Sequence, residues 1–121
     1  MTRQQCAERG SAGLLALWVG CLVVAGTFAV LSWAAAVVTR QRAEAAADSA
    51  ALASASAQGR GQPGCAVAAS VAAASGGRLK ACAVALDGSV EVTLAMPVPA
   101  PWLRALHVGP AWARARAGVP P

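Results

Sequence analysis

The sequence predicts a membrane-anchored α+β protein: a long N-terminal transmembrane helix, then a small unit built from a short helix and an antiparallel sheet of about three strands. Three observations predict it. Residues 11–39 carry no charged side chain, a run of about 29 residues where about 20 suffice to cross a bilayer. The Ala-rich segment that follows contains no Pro or Gly before Gly59, so the same helix continues to about Gln58. Beyond Gly76-Gly77 the apolar residues change from helical spacing to alternation, the period of strands.

The uncharged run is about twice the roughly 7–15 apolar residues of a cleavable secretory signal, which favours a retained anchor. Ala34-Ala35-Ala36 matches an A-x-A processing site, so release of everything after it is the alternative. Within the run, Ala12, Ala16 and Gly20 recur every four residues, a spacing that lets two membrane helices approach closely. Trp33 lies near the C-terminal membrane boundary, where an indole is favoured, and Trp18 lies deeper as a packing residue. Arg3 and Arg9 on one side and Arg40 and Arg42 on the other leave orientation by charge nearly balanced.

The cysteines break that balance. Cys65 and Cys82 lie in a small unit whose Ala-rich composition builds only a thin core, and a disulfide between them is the expected remedy, two buried free thiols being the alternative. Disulfides belong outside the cytoplasm, which puts the C-terminal part outside and the N-terminus inside. Cys21 falls mid-membrane as a packing residue, and Cys6 precedes the anchor, either lipidated or bare.

After the anchor, Arg40 and Glu44 are spaced to pair on the helix, Glu44 and Asp48 form a solvated acidic stripe, and Ala46, Ala50, Ala53 and Ala57 form a face of small side chains. Residues 59–64, with three Gly and a Pro, make a turn. Residues 65–75 form a second helix closed by Gly76-Gly77. Residues 79–86 and 90–96 are strands around Asp87-Gly88, and two registers satisfy them. A two-residue loop pairs Leu86 with Ser89. A three-residue loop pairs Leu86 with Val90 and gathers Cys82, Val84, Leu86, Val90, Val92 and Leu94 on one face. The second makes the larger apolar face, brings Cys82 within reach of Cys65, and is the register expected. Residues 97–101 are a stiff Pro-rich connector, 102–108 form one or two helical turns, and 112–117 alternate as a third strand with Arg114 and Arg116 facing water. The tail 118–121 frays.

The composition excludes several functions. Net charge is +5, but the ten basic residues are scattered and no stacking aromatics accompany them, which argues against nucleic acid as a partner. His107 is the single histidine and has no acid or cysteine at ligand spacing, so it reads as a packing or surface residue. No Gly-rich phosphate loop follows a strand. The expectation is a protein that is not an enzyme, with no catalytic residues, no metal, no cofactor and no small-molecule substrate.

The order of parts resembles a known family. Glu8-Arg9-Gly10-Ser11 precedes the anchor, Arg42-Ala-Glu-Ala-Ala-Ala-Asp-Ser-Ala-Ala-Leu-Ala follows it, then come a cysteine-containing α/β unit and a closing Ala-Arg-Ala-Arg-Ala-Gly. This arrangement is similar to the TadE-like proteins of Flp (tight-adherence) pilus assembly, and most like their short actinobacterial branch, encoded near a helicase and secretion-type genes. The resemblance implies a pilin-like fold and a minor pilin or pseudopilin, or an accessory, of an assembly related to type IV pili and type II secretion. It implies a division into a cytoplasmic leader 1–10, a transmembrane helix 11–39, its continuation 40–58 outside the membrane, and an extracytoplasmic α/β domain 59–121. A prepilin-type peptidase would cut between Gly10 and Ser11. The implied partners are other pilin-like subunits and a polytopic assembly platform, and the implied location is the cell membrane, single-pass. The chain departs from the prepilin pattern at Leu15, the fifth residue after Gly10, where prepilins carry a Glu. Two other functions fit the same residues: a secreted effector or binding module released by cleavage, and a generic single-pass anchor.

Overall fold

The computed structural model describes residues 2–99 and 101–118, with side chains from residue 11 onward. Three helices and three strands follow one another as α1 (Thr2–Gly59), α2 (Gly64–Ala74), β1 (Arg78–Val84), β2 (Val90–Met96), α3 (Pro101–Ala105) and β3 (Ala111–Ala117). This is the α+β arrangement expected. The helix α1 begins well before the anchor, because residues 2–9 are mostly Arg, Gln, Ala and Glu, good helix formers, and contain no proline. The expected fraying of the tail falls outside the described residues from Val119 on.

The chain divides into two compact units, Met1–Ala36 and Val37–Pro121. In the first, the large apolar side chains of α1 are exposed: Leu14, Leu15, Leu17, Trp18, Leu31 and Trp33 among them.

The second unit is a helical layer on one face of a three-stranded antiparallel sheet of order β1-β2-β3. Its core is made of small side chains. Ala43, Ala46, Ala47, Ala50, Ala51, Ser54 and Ala55 of α1 are buried at the three- and four-residue spacing of one helix face. Ala68 and Ala72 of α2 join them. From the sheet come Val90, Val92, Leu94 and Met96 of β2 and Ala113, Ala115 and Ala117 of β3. The largest side chains that are fully buried are Leu94, Val90 and Val92, so the central strand supplies most of the hydrophobic stabilisation. Buried Ser54 donates its hydroxyl to the Ala51 carbonyl at 2.8 Å, which leaves no orphan polar atom in this apolar layer.

The β1–β2 register places Cys82 opposite Val92 and Val84 opposite Val90. Neither expected register is the observed one: Leu86 does not pair with Val90 or Ser89, and of the expected apolar face Val90, Val92 and Leu94 are buried and Cys82 half-buried, while Val84 and Leu86 are exposed. The hairpin tip is Leu86-Asp87-Gly88, closed by the Ala85 N–H donating to the Ser89 carbonyl at 2.8 Å, and Leu86 is fully exposed. The physical reason is Gly88. It takes φ 79°, the left-handed position that ends a three-residue hairpin loop, and this sets the loop one residue earlier than the alternation alone suggests. A bulge between Leu79 and Ala81 shifts the register again and re-aims Lys80. In β3, Ala113, Ala115 and Ala117 point inward while Arg114 and Arg116 point to water, as the alternation predicts.

All three helices end in the same way. The N–H of Gln62 donates to Ala57, that of Gly77 to Ala72 and that of Val108 to Leu103, each alongside an inner bond one residue earlier. This is the Schellman arrangement, which requires a left-handed residue at its centre. Gly61 and Gly76 supply it for α1 and α2, and His107, at φ 59°, supplies it for α3.

Candidate functional site

Three features carry the functional expectations, and the chain positions each separately. The first is the uncharged face of α1. Over residues 11–36 a lipid-facing helix must satisfy every polar group internally. Thr27 and Ser32 do so: their hydroxyls donate back to the carbonyls of Val23 and Phe28, each at 2.8 Å. Among the described residues one helix is long and apolar enough to cross a membrane, Ser11–Gly59, and none of its apolar window is buried. Ala12, Ala16 and Gly20 lie exposed along this segment, and nothing stands within 4 Å of where a Cβ on Gly20 would be. The Gly10–Ser11 peptide lies within α1, and Leu15 is exposed. The side chain of Cys6 lies outside the described residues. Cys21 is a free, exposed thiol.

The second feature is the cross-link. Cys65, in the first turn of α2, is bonded to Cys82 in the middle of β1, with a Cα–Cα distance of 5.8 Å. The bond ties the helical layer to the edge strand. It closes a loop with a sequence separation of 17, a constraint worth about 3 kcal/mol by chain entropy. That is a large share for a unit whose core is mostly alanine. The close seating of α2 depends on Gly64, its first residue. A Cβ there would stand 2.8 Å from the Ser54 carbonyl oxygen and from Cγ of Gln58. Only glycine lets the start of α2 rest on the last turns of α1.

The third feature is the polar surface of the sheet. Asp87 Oδ1 accepts from the Ser89 N–H at 3.0 Å and from the Ser89 hydroxyl at 2.6 Å. Arg116 donates to the Ser89 oxygen at 3.0 and 2.8 Å and to Asp87 Oδ2 at 3.2 Å. The Ser89 hydrogen bonds, with Arg116 adding its charge, hold the Asp87 carboxyl below its ordinary value. Arg114 pairs with Glu91 at 3.3 Å across the same two strands. Arg40 and Glu44 pair at 3.0 Å on exposed α1, a contact worth a few tenths of a kcal/mol. These groups clamp the hairpin to β3. None is arranged around a cavity as acid, base or nucleophile, and among the described residues no group of three His, Cys, Asp or Glu is close enough to hold a metal. His107 serves as a helix terminator on an exposed loop.

Sequence reasoning did not find the Asp87–Ser89–Arg116 clamp, although Asp-x-Ser at a hairpin tip is a recognisable signal for an Asx-type turn. The role of Gly64 carries no sequence signal distinct from any other turn glycine.

The comparison with known families bears on the first feature. Residues 10–57 match the model of the TadE/G-like Flp pilus-assembly family. This segment is TadE/G-like. The match begins at Gly10, covers the whole uncharged stretch and ends two residues before α1 does. The TadE/G-like part is thus the helix itself, both its apolar portion and its alanine face. No curated protein matches the chain. No solved structure matches it.

Proposed function

We propose that the protein is a minor pilin- or pseudopilin-like component, or an accessory, of a tight-adherence pilus assembly, acting by packing of its membrane helix. The observation that carries this reading is the TadE/G-like match over residues 10–57, whose first part, residues 11–39, is an uncharged helix with its large apolar side chains exposed. Ala12, Ala16 and Gly20 are the positions at which neighbouring helices approach. Partners are other pilin-like subunits and a polytopic platform within the membrane. The N-terminus lies in the cytoplasm and the disulfide-bearing unit outside, where an oxidising compartment preserves the Cys65–Cys82 bond. The protein performs no catalysis of its own.

Leu15 distinguishes this chain from filament-forming prepilins. A carboxylate buried in lipid costs several kcal/mol unless paired. With leucine there, that cost is removed together with the charge that would neutralise a neighbour's amine. This favours a minor or accessory position over a repeated place in the shaft.

The intact mass of the protein purified from its native membrane tests the reading. A chain beginning at Ser11 supports prepilin-type processing at Gly10. A chain retaining Met1 supports an uncleaved accessory of the same assembly. A chain beginning at Val37 would sink the proposal, because the TadE/G-like helix would have been cut away.

A further inference from the structure

The second unit carries its charges unevenly. At the Val90 end of β2 the acids and bases are paired, Asp87 with Arg116 and Glu91 with Arg114. At the Met96 end the situation is reversed. An open cleft of about 760 Å³ is lined by Arg78 and Lys80 of β1 and Arg104 of α3, with walls from Gly77, Pro97 and Val98. No carboxylate among the described residues lines it. Among the described residues, none of these three cations makes an ion pair, and all are exposed; Lys80 lies 6.0 Å from the Trp112 ring.

Beside the cleft, the segment 101–108 exposes apolar side chains that a water-facing loop has no reason to carry. Trp102 is 42% exposed, Leu106 66% and Val108 44%, with Arg104 among them. An indole, aliphatic chains and a cation together are the composition of an interfacial element.

Position within the unit says what faces this patch. Arg42 and Ser49 of α1 share a shallow groove with Ser75 and Met96. The Met96 end of the sheet therefore lies beside the first turns of α1 after the uncharged stretch ends at Thr39. It is the end of the unit at which the chain leaves the apolar run.

We infer that this cleft and the 101–108 segment dock on the surface of the host bilayer, with Arg78, Lys80 and Arg104 binding the phosphates of anionic lipid headgroups and Trp102 and Leu106 entering the interface. Unpaired cations at a negatively charged surface each favour the docked state by about fivefold. Three such cations with two apolar anchors give a lipid-dependent dock, and the docking is weakened by salt. The inference rests on the membrane reading of residues 11–39.

The full chain, with Trp18, Trp33 and Trp112 replaced by Phe so that Trp102 is the sole tryptophan, tests it in lipid nanodiscs. Discs contain phosphatidylcholine alone or with phosphatidylglycerol, and both carry a lipid brominated near the headgroup as quencher. The expected result is quenching of Trp102 in the phosphatidylglycerol discs, relieved by salt and absent in pure phosphatidylcholine. The docked population should fall about fivefold for each of Arg78→Gln, Lys80→Gln and Arg104→Gln, while Arg78→Lys and Arg104→Lys preserve it. Equal quenching in both lipids, or none in either, would overturn the inference. So would loss of quenching on adding inorganic phosphate or poly-glutamate at matched ionic strength, because the site would then belong to a free anion or an acidic polypeptide. Failure of the chain to co-elute with the discs removes the anchor reading as well, whereas co-elution without lipid-dependent quenching removes this inference alone.

Discussion

Cys65 is bonded to Cys82 with their Cα atoms 5.8 Å apart, joining the start of α2 to the strand at the edge of the sheet. The buried side chains of the helices around it are almost all alanine. Removing the bond by Cys65→Ser with Cys82→Ser should therefore destabilise the second unit by about 3 kcal/mol. Urea unfolding of the full chain in detergent, with Trp18 and Trp33 replaced by Phe so that Trp102 and Trp112 alone fluoresce, measures it with and without reductant. An unchanged midpoint would show that the alanine core suffices alone.

Gly64 sits where a side chain has no room, with the Ser54 carbonyl oxygen 2.8 Å from a would-be Cβ. Gly64→Ala forces α2 away from α1 and should cost about 1–3 kcal/mol. Gly59→Ala is the control, since nothing lies within 4 Å there. Unfolding midpoints of the two variants should separate clearly.

Asp87 provides a pH dependence whose sign follows from its lowered pKa. The unfolded carboxyl takes up a proton at its ordinary value, and the folded one does so at a lower pH. The stability it contributes is present in full above the ordinary carboxylate value and disappears as pH falls through the folded one. Thermal unfolding of the natural chain and of Asp87→Asn should differ at neutral pH and converge in acid. A constant difference across the range would mean that the Ser89 and Arg116 contacts do not depend on the charge.

His107 holds a left-handed backbone conformation that glycine adopts without strain. His107→Gly should stabilise the end of α3 by roughly 0.5–1 kcal/mol. Slower amide exchange at Val108, whose N–H bonds to Leu103 at 3.1 Å, would report it. Faster exchange would contradict the terminator role.

The features legible in the sequence are those with contrast. The charge-free run, the glycines that end α1 and α2, and the alternation of Arg114 and Arg116 with alanines in β3 all stand out from their surroundings. The alanine face of α1 is harder to read. The sequence suggests Ala46, Ala50, Ala53 and Ala57, whereas Ala53 is only half-buried and Ala43, Ala47, Ala51 and Ala55 are buried too. In a helix made mostly of alanine, no polar side faces an apolar one, so periodicity cannot fix the stripe's centre. Alternation alone puts Leu86 in the strand, whereas the left-handed Gly88 ends a three-residue loop that begins at Leu86. Arg78, Lys80 and Arg104 come together only through the sheet and α3, and scattered along the chain they look like ordinary surface charge.

The central claim is that the TadE/G-like helix packs against other subunits through Ala12, Ala16 and Gly20. A photo-reactive amino acid in place of Ala16, activated in native membranes and followed by mass spectrometry of the adducts, tests it most directly. The account predicts cross-links to the membrane helix of a pilin-like subunit or to a polytopic platform protein, lost when the label is moved to exposed Leu17. Adducts to lipid alone from position 16 would contradict it.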